Sequence, residues 1–232
     1  MSLVTNPADK EPVITIDGPS GAGKGTAAAA IAERLGFHLL DSGAVYRVAA
    51  LHAIRNMADL SDEQSVLATF ATMRTSFEPK GLDGVSVKLN DENVSLNIRT
   101  EKAGNAASQI AVMPLVRESL LDEQRAFRQS PGLVADGRDM GTVVFPDAQL
   151  KVFLTASPEE RAIRRAKQLK DKGITANIAD LVREIGERDD RDASRQHSPL
   201  IPAADALSIE SSALGIDEVV ERIFEVWQTR AK

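Results

Sequence analysis

Cysteine is absent from the 232-residue chain. Disulfide bonds and thiolate metal sites are therefore excluded, and the composition agrees with a reducing compartment. Long apolar runs are also absent, because the longest one, Ala27 to Ala32, has six residues, whereas a membrane span needs roughly 20. Residues 1–12 are polar and lack the apolar core of a signal peptide. We therefore expect a cytoplasmic protein that does not enter a membrane.

The chain also lacks an excess of basic residues. Its 28 Lys and Arg stand against 34 Asp and Glu, which gives a net charge of −6. This balance does not favour a general nucleic-acid binder. Hydrophobic residues make up 43% of the sequence, which is enough for one sizeable core with a small inserted subdomain.

The most informative stretch runs from Val13 to Thr26. Residues 13–16 are apolar or β-branched and predict a buried strand, a glycine-rich turn follows, and residues 27–35 predict a helix. A P-loop pattern indicates a phosphate-binding site when its glycine turn lies between a strand and a helix, as it does here. The N–H groups of such a turn and the positive end of the helix form an anion site, to which Lys24 adds a charge. The expected ligand is a nucleoside triphosphate.

Gly25 occupies the position where the strict P-loop pattern has Ser or Thr, and Thr26 comes one residue later. This departure weakens direct ligation of Mg²⁺ by a hydroxyl group. It is similar to the Gly-Lys-Gly-Thr variant of nucleoside monophosphate kinases. The alternative, an ordinary glycine turn before a helix, is disfavoured because four glycines and a lysine occur at this spacing.

Strands alternate with helices along most of the remaining chain. Besides residues 13–16, core strands are predicted at 37–40, 133–136, 150–155 and 206–209. This alternation predicts an α/β fold with a mostly parallel sheet that helices cover on both faces.

A different pattern interrupts this series between residues 60 and 104. A helix is expected over 66–75, and alternation at 85–89 and 94–98 predicts an antiparallel hairpin. Helical character returns at Asn105. We therefore predict a small insert at 60–104.

Two further stretches follow predicted strands and carry charged residues. In the first, Arg47 lies one turn into a helix after Asp41 and is placed to face a bound anion, or else Asp41 caps the helix and Arg47 is solvated. In the second, Asp136 ends an apolar strand, as does the carboxylate that supports Mg²⁺ in P-loop proteins. Arg138 and Asp139 follow at the same sheet edge, where ligands bind in open α/β sheets. The alternative is a surface turn with a local ion pair.

The third stretch, residues 161–195, contains ten Lys or Arg and seven Asp or Glu. Within it Arg188, Asp192 and Arg195 have the spacing of one helix face. Phosphoryl transfer needs positive groups that neutralise the transferring group, and a closing basic segment would also exclude water. The alternative is a charged, solvated helical hairpin.

Five stretches together resemble the bacterial cytidylate kinase family, and the resemblance extends from about Val13 to Trp227. They are Gly-Pro-Ser-Gly-Ala-Gly-Lys-Gly-Thr (18–26), Asp-Ser-Gly-Ala-Val-Tyr-Arg (41–47), Asp-Gly-Arg-Asp-Met-Gly-Thr (136–142), Phe-Leu-Thr-Ala-Ser (153–157) and Glu-Arg-Asp-Asp-Arg-Asp (187–192). The first is shared with many kinases, whereas the other four together are specific.

The resemblance implies a P-loop kinase fold with a central five-stranded parallel sheet, an insert that binds the nucleoside monophosphate and contains a short antiparallel sheet, and a basic helical lid. It implies a flexible tail at 1–11 and one domain at 12–232. The parts of that domain are the core (12–59, 105–157 and 196–232), the insert at 60–104 and the lid at about 158–195. The implied activity is Mg²⁺-dependent transfer of the γ-phosphoryl group of ATP to CMP or dCMP, which recycles pyrimidine nucleotides.

The resemblance also implies a role for each matching residue. Ser108, Arg117 and Asp139 contact cytosine, Arg188 and Asp192 hold the sugar, and Arg47, Arg138 and Arg195 bind the monophosphate beside Ser42. The ATP phosphates lie on Gly18, Pro19, Ser20, Gly21, Ala22, Gly23, Lys24, Gly25 and Thr26. The implied catalytic residues are Lys24, Arg138, Arg164, Arg165 and Arg195. Asp136 is the candidate metal-supporting carboxylate.

Other functions fit less well. Another small P-loop kinase, acting on UMP, AMP or a non-nucleotide acceptor, is the main alternative, and Asp139 and Ser108 argue against it. A GTP-dependent switch needs an Asn-Lys-x-Asp sequence, and no Asn in this chain is followed by Lys. A pseudokinase that only binds nucleotides is disfavoured by Lys24 and the basic lid. We expect a monomer whose partners are CMP, dCMP and ATP, and not nucleic acid or a membrane.

Overall fold

A five-stranded parallel sheet lies at the centre of the chain in a computed structural model, which describes residues 10–79, 85–171, 175–195 and 198–230. Parts of the predicted tail (1–9), insert (80–84), lid (172–174) and C-terminal core (196–197 and 231–232) lie outside the described residues. Within the described ranges, no helix combines the length and the apolar character needed to cross a membrane.

The elements follow one another in the alternating order that the sequence predicts. In chain order they are β1 (Val13–Asp17), α1 (Lys24–Leu35), β2 (His38–Asp41), α2 (Ser42–Arg55), α3 (Glu63–Phe70), β3 (Thr75–Pro79), β4 (Val85–Leu89), β5 (Glu92–Asn93), a 3₁₀ turn (Asn97–Arg99), α4 (Glu101–Ile110), α5 (Pro114–Arg125), β6 (Leu133–Gly137), a π-helical turn (Met140–Val144), β7 (Leu150–Thr155), α6 (Pro158–Lys170), α7 (Ile178–Ala193), β8 (Leu207–Glu210) and α8 (Ile216–Arg230).

The sheet has the strand order β2-β6-β1-β7-β8, and every neighbouring pair is parallel. Strand β1 occupies the middle and all five of its residues are buried. Ile14 and Ile16 pack with α1 and α8 on one face, whereas Val13 belongs to the core that α2, α4 and α5 form on the other. The predicted α/β fold with a five-stranded parallel sheet is confirmed.

A second, antiparallel sheet of β3, β4 and β5 is present as predicted, but its strands differ. The helix predicted over 66–75 ends at Phe70, and Thr75 begins β3, which is the long partner of β4. The strand predicted at 94–98 is wrong, because Ile98 N–H donates to the Val94 carbonyl at 3.1 Å and closes a helical turn. Residues four apart lie on one side of both a helical turn and a strand. Here Val94 and Ile98 are buried while Leu96 is 84% exposed, which fits only the turn.

The helix expected from Asn105 begins four residues earlier, at Glu101. The hydroxyl of Thr100 caps it by accepting from the Ala103 N–H at 3.2 Å. The predicted boundary of the insert at residue 104 therefore falls inside α4, so that one helix continues from the insert into the core. The division of the chain into core, insert and lid stays a prediction.

The packing of α8 gives a first prediction. Trp227 is 8% exposed and meets Phe37 edge to face, with 5.9 Å between ring centroids. We expect Trp227→Ala to lower the free energy of unfolding by about 3–5 kcal/mol, because it removes a large buried side chain from the sheet face. Gln228→Ala, at an exposed position of the same helix, should change it by no more than about 0.5 kcal/mol. Urea unfolding of both variants measures this, and equal effects would contradict the prediction.

Candidate active site

The carboxyl ends of β1, β2 and β6 open into one cleft of about 1150 Å³. This volume lies above the roughly 300–1,000 Å³ that is typical of a pocket for one small ligand. The predicted site residues that line it are Ser20, Gly21, Ala22, Gly23, Lys24, Gly25, Thr26, Ser42, Arg47, Ser108, Arg117, Asp136, Arg138, Asp139, Arg164, Arg165, Arg188, Asp192 and Arg195. Gly18 and Pro19 belong to the predicted set but do not line the cleft.

The loop between β1 and α1 contains three glycines with positive φ, Gly18, Gly21 and Gly23. Gly18 has φ +147°, and a Cβ there would lie 2.0 Å from the Leu154 carbonyl oxygen, so no larger residue fits. Gly23 has φ +97° and precedes the first residue of α1. The N–H groups at the start of α1 have no acceptor within the helix and can receive an anion.

Lys24 is the charge at the centre of this loop. Its ammonium donates to the Pro19 carbonyl at 2.9 Å and lies 3.7 Å from Asp136 Oδ1. Burial lowers the pKa of Lys24, and the charge of Arg138 lowers it further. A bound phosphate would reverse this shift, because an opposite charge favours the ammonium form.

Asp136 is the carboxylate beside the loop that could hold Mg²⁺. It is the penultimate residue of β6, and burial raises its pKa. The described residues contain no group of three or more His, Cys, Asp or Glu that would form a metal cage. Mg²⁺ is commonly bound by one or two carboxylates together with phosphates and water. A single carboxylate beside a phosphate loop fits that type of site.

A buried ion pair lines the cleft. Asp139, two residues after β6, is 3% exposed and accepts a bond from Arg117 of α5. Arg117 also donates to the Ala111 carbonyl at 3.2 Å, and its guanidinium lies 5.7 Å from the ring centroid of Tyr46. These contacts fix the orientation of both charged groups.

Ser108, the third residue expected to contact the base, lies on α4 and is 3% exposed. Its hydroxyl accepts from Arg191 Nε of α7 at 3.4 Å. The contact joins a base-contacting candidate to the basic helices. Sequence analysis missed both Arg191 and Tyr46, although each lies within a stretch that carries the family resemblance.

Guanidinium groups surround Asp192, which also lines the cleft. Arg138 Nε donates to Asp192 Oδ2 at 2.8 Å, and Arg195 donates to Oδ1. Arg188 is half-buried, and its buried Nε has no hydrogen-bond partner among the described residues. Burial lowers its pKa to about 9, with Arg138 and Arg47 contributing. Four arginines lie in this region beside Asp192, Asp136, Asp189 and Glu101. Their guanidinium groups suit a phosphate group.

The predicted helix face of Arg188, Asp192 and Arg195 is only partly right. Helix α7 ends at Ala193, so Arg195 lies in the following segment. It still reaches Asp192, because the two are only three residues apart. Arg195 and Asp192 are therefore in contact as the spacing predicted, although the backbone at Arg195 is not helical.

The structure combines features of both interpretations of residues 41–47, and the role of Arg47 toward an anion stays a prediction. Asp41 does cap α2, since its Oδ1 accepts from the Ala44 N–H at 2.9 Å. Arg47 nevertheless lines the cleft. Ser42 lies beside it and donates its hydroxyl to Gln124 Oε1 at 2.8 Å.

The three arginines of α6 face different partners. Arg161 is 3% exposed and donates to the Ser20 carbonyl at 3.1 Å and to both carboxylate oxygens of Asp189. Arg164 contacts the Ser211 carbonyl at 2.6 Å. Arg165 pairs with Glu101 of α4 across the mouth of the cleft. Arg161 and Arg164 thus contact carbonyls of the loop, and all three arginines line the cleft.

Asp17 is a further residue that sequence analysis missed. It is the last residue of β1 and only 5% exposed, and its two carboxylate oxygens accept from the Met140 and Gly141 N–H groups, both at 2.8 Å. Burial raises the pKa of Asp17 to about 7. The one signal in the sequence is an acidic residue directly after an apolar strand and before the glycine turn.

The contacts of Arg161 give the second prediction. Lysine retains the charge but cannot make the same forked contacts. We expect Arg161→Lys to lower the free energy of unfolding by about 2 kcal/mol or more and to weaken ATP binding through Ser20. The control is Arg183→Lys, because Arg183 is 67% exposed and pairs with Asp180, and exposed pairs contribute at most about 1 kcal/mol. Chemical unfolding and ATP titration measure both effects, and indistinguishable variants would contradict the prediction.

Comparison with known proteins agrees with this geometry. The family model for cytidylate kinase matches residues 14–229. The chain is 54% identical over 224 residues to the cytidylate kinase of Shewanella sediminis, covering 96% of this chain and 97% of that protein. It is 58% identical over 209 residues to the cytidylate kinase of Aeromonas hydrophila, with 90% of each chain covered. The match extends over nearly the whole chain, and the chain therefore belongs to the cytidylate kinase family.

Proposed function

We propose that this protein transfers the γ-phosphoryl group of ATP to CMP or dCMP, giving ADP and CDP or dCDP. The observation that carries the proposal is that one cleft is lined both by a phosphate-binding loop and by the buried Asp139–Arg117 pair. The first suits the donor and the second suits the base of the acceptor. Membership of the cytidylate kinase family supports the same assignment.

The preference for cytosine follows from the chemistry of Asp139. The exocyclic N4 of cytosine is a hydrogen-bond donor, whereas uracil presents an acceptor at that position. A carboxylate has about four lone-pair directions, so Asp139 can accept from Arg117 and from N4 together. Uracil would place its O4 oxygen against the carboxylate, so Asp139 would keep the bond from Arg117 but lose the second donor. A site rejects a close analogue in this way. Arg117 and Ser108 complete the proposed base contact.

The remaining acceptor contacts use the arginine-lined part of the cleft. Arg188 and Asp192 hold the sugar, while Arg47, Arg138 and Arg195 bind the monophosphate beside Ser42. These arginines neutralise the acceptor phosphate and fix it in line with the γ-phosphorus. One of its oxygens forms the new bond to phosphorus as the bond to the bridging β–γ oxygen breaks. The acceptor is already an anion, so the step needs no general base.

The loop residues 18–26 bind the phosphates of ATP in this proposal. Lys24 exchanges its bond to the Pro19 carbonyl for one to the β- or γ-phosphate, and Arg164 and Arg165 face the transferring group from α6. Asp136 would hold Mg²⁺, which supplies charge neutralisation on the phosphates when bound. We also expect, as the composition suggests, a monomer in the cytoplasm.

Measuring ADP formation with CMP, dCMP, UMP and AMP as acceptors tests the assignment. We expect high turnover with CMP and dCMP, low turnover with UMP and none with AMP. Asp139→Ala should remove most of the preference for CMP over UMP, because the variant no longer distinguishes the amine from the carbonyl. Arg47→Ala is the matched control, since a lost phosphate contact raises KM for CMP and UMP by the same factor. No turnover with any acceptor would refute the proposed activity.

The role of Asp136 gives a separate prediction. Asp136→Asn replaces the anionic ligand by a neutral amide, so the Mg²⁺ concentration that gives half-maximal activity should rise about tenfold. Binding of metal-free ATP should not weaken, because the variant removes a negative charge near the phosphates. Activity against Mg²⁺ concentration and calorimetric titration with ATP in chelator measure the two quantities. An unchanged Mg²⁺ midpoint would show that Asp136 does not support the metal.

A further inference from the structure

Asp17 is a buried carboxylate that none of the proposed catalytic steps uses. It ends the central strand β1 and immediately precedes the phosphate-binding loop. Its partners lie more than 120 positions later in the chain: Met140 N–H on Oδ1 and Gly141 N–H on Oδ2. These two groups begin the π-helical turn that follows Asp139.

The first N–H groups of any helical turn lack acceptors within the turn. In this turn the Val144 N–H returns to the Asp139 carbonyl at 3.2 Å, and the Phe145 N–H returns to the Met140 carbonyl at 2.7 Å. The N–H groups of Met140 and Gly141 precede those bonds, and Asp17 is their acceptor. A carboxylate distant in sequence thus supplies the cap that a local side chain provides for most helices.

Close packing leaves the turn few other positions. A Cβ at Gly141 would lie 2.7 Å from Thr15 Oγ1 on β1. Met140 is fully buried, and its side chain fills the space next to Gly137. Asp17 therefore ties the backbone next to Asp139 to strand β1, and Arg117 binds the side chain of Asp139 itself.

We propose that Asp17 is a positioning residue for base selectivity, which holds the Met140–Val144 turn so that Asp139 faces the exocyclic amine of cytosine. This inference rests on the proposed function and extends it to a residue outside the cleft. Asp17 also joins the loop for the donor to the loop for the acceptor base. The carboxylate of Asp17 therefore connects the part of the site proposed for ATP to the part proposed for the acceptor base.

The ionised form of Asp17 is the form that accepts both N–H groups, because a protonated carboxyl presents an O–H to one of them. Burial raises the pKa of Asp17 to about 7, with Asp139 raising it and Lys24 lowering it. Two more charged side chains lie against this turn. Lys151 of β7 lies beside Gly141 and pairs with Asp205, and Arg125 of α5 donates to the Val144 and Val143 carbonyls at 3.2 and 3.4 Å. The cap should therefore weaken as the pH falls through about 7.

The test compares Asp17→Asn with Thr15→Val. The asparagine retains the size of the side chain, but its NH₂ group faces one of the two N–H groups. Thr15 lies on the same strand against the same turn, and its buried hydroxyl has no partner among the described residues. We measure kcat/KM for CMP and for UMP and KM for ATP between about pH 6 and 8.

We expect Asp17→Asn to lower the preference for CMP over UMP about tenfold with little change in KM for ATP, and Thr15→Val to retain the wild-type preference. The wild-type preference should fall as the pH drops below about 7, whereas that of Asp17→Asn should not change with pH. The titration of the acceptor phosphate cancels in the ratio. A parallel rise in KM for ATP and CMP with an unchanged ratio would overturn the proposal.

Two further measurements keep the proposal testable. If Asp17→Asn does not fold, the wild-type pH profile decides, and a flat preference refutes the role of Asp17. If the wild-type protein phosphorylates no nucleotide, the proposed function fails by itself, and amide hydrogen exchange then tests the cap. The Met140 and Gly141 N–H groups should exchange about tenfold faster in Asp17→Asn than in Thr15→Val. Equal exchange rates would overturn the inference.

Discussion

Positive charge in this protein has to be concentrated in a cleft from which much of the water is excluded. Asp192 makes this possible, because its two oxygens accept from Arg138, in the loop after β6, and from Arg195, beyond α7. The carboxylate is 1% exposed, and either charge alone would be strongly disfavoured at such a position. The same contacts attach the basic helices to the sheet. The charges proposed to bind the ligand therefore also help to position the elements around it.

Ligand binding in such a cleft is an exchange of partners. Lys24 is bonded to the Pro19 carbonyl, Arg165 to Glu101, and Arg188 has an unpartnered Nε. A phosphate group would replace a neutral carbonyl on Lys24 and supply an anion to Arg188. Both changes favour the charged forms, whose pKa values burial has lowered. The burial of these cations is unfavourable before a ligand binds. A bound phosphate relieves this cost, and the relief contributes to the free energy of binding.

The structural features that depend on residues adjacent in the chain were the ones best predicted from the sequence. The phosphate loop follows from adjacent residues, and its glycines at 18 and 23 have the positive φ angles that such a turn requires. The parallel sheet followed from the alternation of strands and helices. The strand predicted at 94–98 failed because Val94 and Ile98, four residues apart, satisfy both a strand and a helical turn. The contact between Asp17 and Met140 could not be predicted, since no local pattern specifies which backbone groups a buried carboxylate will meet 123 residues later.

The position of β1 in the sheet has a consequence for synthesis of the chain. Asp17 pairs with Gly137 and Phe153, so both neighbours of the central strand are made long after it. At about 5–20 residues per second, the first of them follows by about 6–24 seconds. During that interval a strand destined to be buried on both faces has neither of its partners, and contacts of such long range form slowly. The phosphate loop, although it is among the first segments to be translated, acquires its shape only when β7 has left the ribosome.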